Sequence, residues 1–141
     1  MKKLFFVTFL LAFGLMSCKK NKDKSCTVSE QTLVGSYKVT SVKYQASASV
    51  PAVESINDFL EPCELDDVIT FLSNHSYTYK DAGTQCSPNG DDDGSWSLSG
   101  NVLNVDGDNV TFDSFSCTGF TLSISNYDVD GDKATITYKK Q

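Results

Sequence analysis

The stretch Ile69-Thr70-Phe71-Leu72-Ser73-Asn74-His75-Ser76-Tyr77-Thr78-Tyr79-Lys80 decides the fold. Ile69 and Phe71 share one face of an extended chain, Ser73-Asn74-His75 supplies turn chemistry, and Tyr77 and Tyr79 then alternate with Ser76, Thr78 and Lys80. Successive side chains on a strand point to opposite faces, so a period of two describes a hairpin with one greasy side and one wet side. The pattern repeats outward through Trp96 and Leu98, Leu103 and Val105, Val110 and Phe112, Phe120 with Leu122 and Ile124, and Ala134 with Ile136 and Tyr138. Between these runs fall Ser99-Gly100-Asn101, Asp106-Gly107-Asp108-Asn109, Thr118-Gly119 and Asp130-Gly131-Asp132, the residue types that tight turns require. With the strand around Tyr37 and Val39, the count reaches eight.

Eight short strands joined by tight turns form an antiparallel meander, and an open meander leaves two exposed edges. Closure removes them, so the expected architecture is an all-β, eight-stranded up-and-down barrel, with a two-layer sandwich as the alternative. Apolar residues of both parities on the first strand, Tyr37 and Val39 against Val42 and Tyr44, predict a bulge or a bend there. The long connection from Gln45 to Glu64 carries Ser55-Ile56-Asn57-Asp58, a capping-box pattern with Asp at its last position. Ile56, Phe59 and Leu60 follow at helical spacing and Pro62 stops the run, which predicts a short helix serving as a lid over one barrel end. Ordinary packing of a surface loop is the plainer alternative.

Lys2 and Lys3, the apolar run Leu4 to Leu15 and the small Ser17 make a secretory signal. The run is shorter than the roughly 20 residues that a membrane-spanning helix needs. Leu15-Met16-Ser17-Cys18 resembles the lipobox of bacterial lipoproteins. That resemblance implies cleavage before Cys18 and attachment of acyl chains such as palmitate to it, with residues 1–17 as signal, 18–32 as a flexible tether and 33–141 as the barrel domain. The place implied is the cell envelope, on the outer membrane, with the periplasmic or surface face left open. An ordinary signal peptide leaving a free thiol is the alternative.

Without the signal, ten lysines face 18 carboxylates, and the chain has no arginine. A body with a net charge of −8 should be repelled by nucleic acid. Lys19, Lys20, Lys22 and Lys24 beside the anchor suit anionic head groups or, equally, a merely soluble, flexible tether. Cys26, Cys63, Cys86 and Cys117 are an even set with three pairings open; Cys63 with Cys86 and Cys26 with Cys117 is the expected one. No two of them stand at zinc-ligand spacing, and His75 is the only histidine, so no metal or cofactor is expected. Asp91-Asp92-Asp93, Asp106-Asp108 and Asp128-Asp130-Asp132 invite a calcium reading, but twelve-residue loops begun at Asp91 or Asp128 end at Val102 or Lys139 where a Glu is needed, so turn chemistry is preferred. Catalytic residues are not found: His75 lies in a hairpin tip, and Asp66 and Asp67 on a strand would point apart. The chain is expected to be a non-enzymatic monomer.

Leu33-Val34-Gly35-Ser36-Tyr37 resembles the Gly-x-Trp opening of the first lipocalin strand, with Tyr37 in place of the tryptophan. Cys63, Asp66-Asp67, Thr70-Phe71, Tyr77, Cys86 and Gly94-Ser95-Trp96-Ser97-Leu98 resemble the pattern of small lipocalin-like lipoproteins of Bacteroidetes-type bacteria. The likeness implies an eight-stranded barrel, a long first loop as lid, and binding of a small apolar molecule. Larger lipocalins stack a late arginine over the strand-one tryptophan; here Lys139 is the nearest substitute. An eight-stranded barrel is just wide enough to be filled by its own side chains or to hold one small ligand, and the short strands favour filling. In the leading functional reading Tyr37, Phe71, Tyr77, Trp96, Phe112 and Leu122 line a carrier's interior, with Ile56, Phe59 and Leu60 across the mouth. The other reading is a solid barrel that docks a protein or glycan partner through its loops.

Overall fold

Hydrogen-bonded alternation wraps the chain into a cylinder in a computed structural model that describes residues 26–141. The expected signal segment 1–17, Cys18 and the lysines up to Lys24 lie outside the described residues. The strands are β1 (Gly35–Gln45), β2 (Val53–Glu54), β3 (Val68–Phe71), β4 (Ser76–Lys80), β5 (Asp92–Ser99), β6 (Val102–Val105), β7 (Asp108–Ser116), β8 (Gly119–Ser125) and β9 (Lys133–Lys140). From β3 onward each pairs antiparallel with the next, and β1 pairs with both β3 and β9. Eight strands therefore close a ring, as the alternation predicts, while β2 is an added two-residue ribbon on the far half of β1.

β1 serves two neighbours by bending. Its pairing with β9 slips between Val39 and Ser41, at the place where the apolar parity changes. A second slip, between Phe112 and Ser114 of β7, has no comparable mark in the sequence. Residues 35–37 pair with β3, and beyond them β1 diverges until Lys43 and Tyr44 meet β2. Glu54 covers part of this gap, its carboxylate accepting from the Val42 amide at 3.1 Å and the Ser41 hydroxyl at 2.6 Å.

Two single-turn helices mark the barrel's ends. At the base, α1 (Glu30–Leu33) is opened by a capping box in which the Ser29 hydroxyl accepts from the Thr32 amide and the Thr32 hydroxyl from the Ser29 amide. Val28 and Leu33 pack into the core, so structure begins inside the segment that the sequence assigns to the tether. At the mouth, α2 (Ile56–Phe59) stands where a helix was expected, but the capping box does not form. Ser55 holds the cap position without a side-chain bond, and the Asp58 amide donates instead to the Ser55 carbonyl. Disulfides join Cys26 to Cys117 at the base and Cys63 to Cys86 at the mouth. Closing 91 and 23 residues of chain, they stabilise by roughly 4–5 and 3–4 kcal/mol on the loop-entropy account.

The base is filled by rings. Tyr37 lies 4.8 Å from Phe120 and 6.0 Å from Phe71, centroid to centroid, and its hydroxyl donates to the Leu33 carbonyl at 2.8 Å. Trp96 packs on Phe71 and shares its indole N–H between the carbonyls of Leu72 and Ser76. The cation over Tyr37 is Lys140, not Lys139: its Nζ sits 5.4 Å from the ring centre and donates to the carbonyls of Thr32 and Val34. Strand parity explains the correction, because the inward set Ala134, Ile136, Tyr138 continues at residue 140. Lys140→Met should cost about 1–2 kcal/mol in chemical denaturation through the lost cation–π contact and two carbonyl bonds. Lys139→Met should stay within about 0.5 kcal/mol of the parent. Equal effects would refute the assignment.

Candidate functional site

Above the ring-filled base the barrel holds a cavity of about 210 Å³. Its wall comes from the inward faces of β3 and β6 to β9: Ile69, Phe71, Leu103, Val105, Val110, Phe120, Leu122, Ile124, Ile136 and Tyr138. Asp108, in the first position of β7, is the only charged residue lining it among the described residues. The space is smaller than the 300 Å³ or so that marks the lower end of drug-sized sites, yet larger than the ~150 Å³ apolar cavity known to take benzene. One short, mostly hydrocarbon molecule fits it.

The structure divides the expected interior set. Phe71 and Leu122 line the cavity, whereas Tyr37, Tyr77, Trp96 and Phe112 are buried in the core and do not line it. The barrel is solid at its base and hollow towards its mouth. Lid residues Ile56, Phe59 and Leu60 are half-buried and do not line the cavity either. Phe59 instead packs between Tyr44 and Tyr127.

A hydroxyl in the cavity wall is without a partner. The Tyr138 hydroxyl makes no hydrogen bond among the described residues, and burial alone pushes it above an ordinary phenol. Its ring is fixed against Phe120 at 4.9 Å. Four other phenols are committed: Tyr37 donates to the Leu33 carbonyl, Tyr44 to Asp132, Tyr79 to Asp67 at 2.8 Å and Tyr77 to Asp106 at 2.6 Å. A ligand with one acceptor atom on a hydrocarbon frame would satisfy Tyr138.

Four carboxylates of the mouth, Asp66, Asp67, Asp106 and Asp132, are structural. Asp132 accepts from the amides of Tyr127, Asp128 and Val129 and from the Tyr44 hydroxyl; burial opposes its charge, but these donors hold its carboxyl below the usual range. Asp106 accepts from Ser95 N–H and from Tyr77. Asp66 and Asp67 are not on a strand, as expected from sequence, but in the turn before β3, and they face the same segment: Asp67 takes the Ala82 amide and Asp66 the Thr84 amide. His75 is not free at its hairpin tip. Its Nε2 lies 3.2 Å from Glu30, and its ring sits 5.2 Å from Trp96.

A family model for the lipocalin-like domain matches residues 33–124. The chain belongs to the lipocalin-like domain family. Among curated proteins, none matches it. The matched span runs from Leu33 through β8, so the strand that closes this lipocalin-like barrel, β9, lies beyond it. The fold is one that suits the binding of a small molecule.

The phenols of this lipocalin-like barrel set its alkaline limit. Burial pushes Tyr37 up to about 12; Tyr79 is raised by burial and then by Asp67, and Tyr77 by its bond to Asp106 and then by burial. A folded value above the unfolded one adds stability that is complete below about pH 10 and lost as pH rises through the folded value. Tyrosinate absorbance from these residues should therefore appear together with loss of tertiary circular dichroism. Full ionisation near pH 10 with the fold intact would contradict this.

Proposed function

We propose that this protein is an exported envelope lipoprotein that shelters one small apolar molecule in the upper half of its barrel. The observation that carries the reading is the hollow between Leu103, Leu122 and Ile136, walled by hydrocarbon apart from Asp108 and the unpaired Tyr138 hydroxyl. Empty apolar space costs stability in proportion to its volume, so a filled hollow is the more stable state. Family membership supports a binding role. Nothing in the reading calls for an enzyme: among the described residues, His75 pairs with Glu30 and no nucleophile is bonded to it.

The anchor belongs to the same reading. Residues 1–17 are the signal, acylated Cys18 holds the outer membrane, and the lysines up to Lys24 lie against its head groups. The Cys26–Cys117 bridge is compatible with this arrangement, since it fastens the N-terminal side of the domain to the β7–β8 turn at the filled base. A tether leaving from there directs the mouth away from the lipid.

Two experiments test the proposal. Leu122→Trp fills the hollow, and the variant should lose saturable binding of toluene or n-hexanol while keeping its far-ultraviolet spectrum. Native mass spectrometry of the parent purified from its own host should show a bound small molecule that the variant lacks. Equal binding by both proteins, or none by either, would sink the carrier reading. Separately, the parent should partition into detergent and Cys18→Ala into water; an aqueous parent would refute the anchor.

A further inference from the structure

A second cavity, of about 350 Å³, lies where α2 meets the end of β1 and the β8–β9 loop. It shares no lining residue with the interior hollow. Three rings wall it: Tyr44 and Phe59 stand 5.8 Å apart and tilted by 47°, Phe59 and Tyr127 5.1 Å apart and tilted by 42°. The Tyr44 ring is held by its bond to Asp132, and Tyr127 is left 50% exposed. Ser55, Asp58 and Asp128 complete the lining.

The side chains of Ser55, Asp58 and Asp128 are unspent. Ser55 is only 8% exposed, makes no cap bond, and its hydroxyl has no partner among the described residues. The carboxylates of Asp58 and Asp128 likewise accept no hydrogen bond among those residues. Adhesion of α2 to the barrel would need the rings alone. It would not need two unpaired anions and the unpartnered hydroxyl of a buried residue around them.

Chemistry narrows the occupant. Carboxylates only accept hydrogen bonds, and aromatic faces present negative potential, so the complement is positive and rich in N–H donors. The surrounding field agrees. Of 18 acidic residues, 15 lie in the mouth-end stretches 54–67, 81–93, 106–108 and 128–132, against Lys43, Lys80 and Lys133. Anions are repelled from such a surface and organic cations concentrated on it. We infer that the Tyr44–Phe59–Tyr127 cage binds a small alkylammonium group, its charge over the rings and between Asp58 and Asp128, with one N–H donated to the Ser55 hydroxyl. This goes beyond the carrier reading and does not depend on it.

The test is a nuclear magnetic resonance titration of the full-length chain with n-butylammonium chloride, beside neutral 1-pentanol and tetramethylammonium. Saturable shifts should be confined to the amides around Ser55–Leu60 and Tyr127–Asp132, and 1-pentanol should not reproduce them. Phe59→Ala and Asp128→Asn should each weaken butylammonium about fivefold to tenfold. Ser55→Ala should weaken butylammonium but leave tetramethylammonium, which has no N–H, unchanged. Leu122→Trp should leave this binding intact, which separates it from the interior hollow. Equal shifts with 1-pentanol, shifts spread over the whole acidic surface, or an unaffected Asp128→Asn would overturn the proposal.

Discussion

Everything inside this protein depends on the pairing of β1 with β9. From Tyr37 opposite Lys140 to Gln45 opposite Lys133, the first long strand hydrogen-bonds to the last and turns a meander into a cylinder. Without that seam the sheet would have two raw edges and its greasy face no partner. The seam also makes a demand on β1, which must curve around nearly the full height of the barrel. The slip between Val39 and Ser41 supplies the bend, and the gap it opens beside β3 is covered by β2 and the Glu54 carboxylate.

Closure creates an inside, and side-chain size then divides it. Rings from β1, β3, β5, β7 and β8 meet at the base, where α1 and Lys140 cap them. Towards the mouth the inward residues are mostly aliphatic, shorter than rings, and cannot meet across the barrel. A hollow follows from that change of composition along the axis, with Tyr138 at the boundary offering a hydroxyl and no partner. The mouth loops hold their shape through carboxylates that accept backbone amides, Asp132 being the fullest case, and this ties the acidity of the chain to its architecture.

Much of this was legible in the amino acids. Strand positions, the kink in β1 and the site of α2 follow from alternation and turn chemistry, which are local. The favoured cysteine pairing also agrees, because it joins turns that the meander brings to the same end. What escaped was of two kinds. α1 and β2 are too short to leave a period, and the Ser29–Thr32 box departs from the usual Glu or Gln. The others need the third dimension: that Phe59 would seek Tyr44 and Tyr127 rather than the hollow, that Asp66 and Asp67 would bind one segment, and that rings would gather at one end. Lys140 was within reach, since the parity of β9 points to it.

The central claim, a closed barrel solid at one end and hollow at the other, is tested most directly by crystallography under xenon pressure. Xenon enters dry apolar cavities and marks them by its scattering. The account predicts one xenon site between Leu103, Leu122 and Ile136, with none among Tyr37, Phe71 and Trp96. A hollow found collapsed, filled with ordered water, or sited among the basal rings would contradict it.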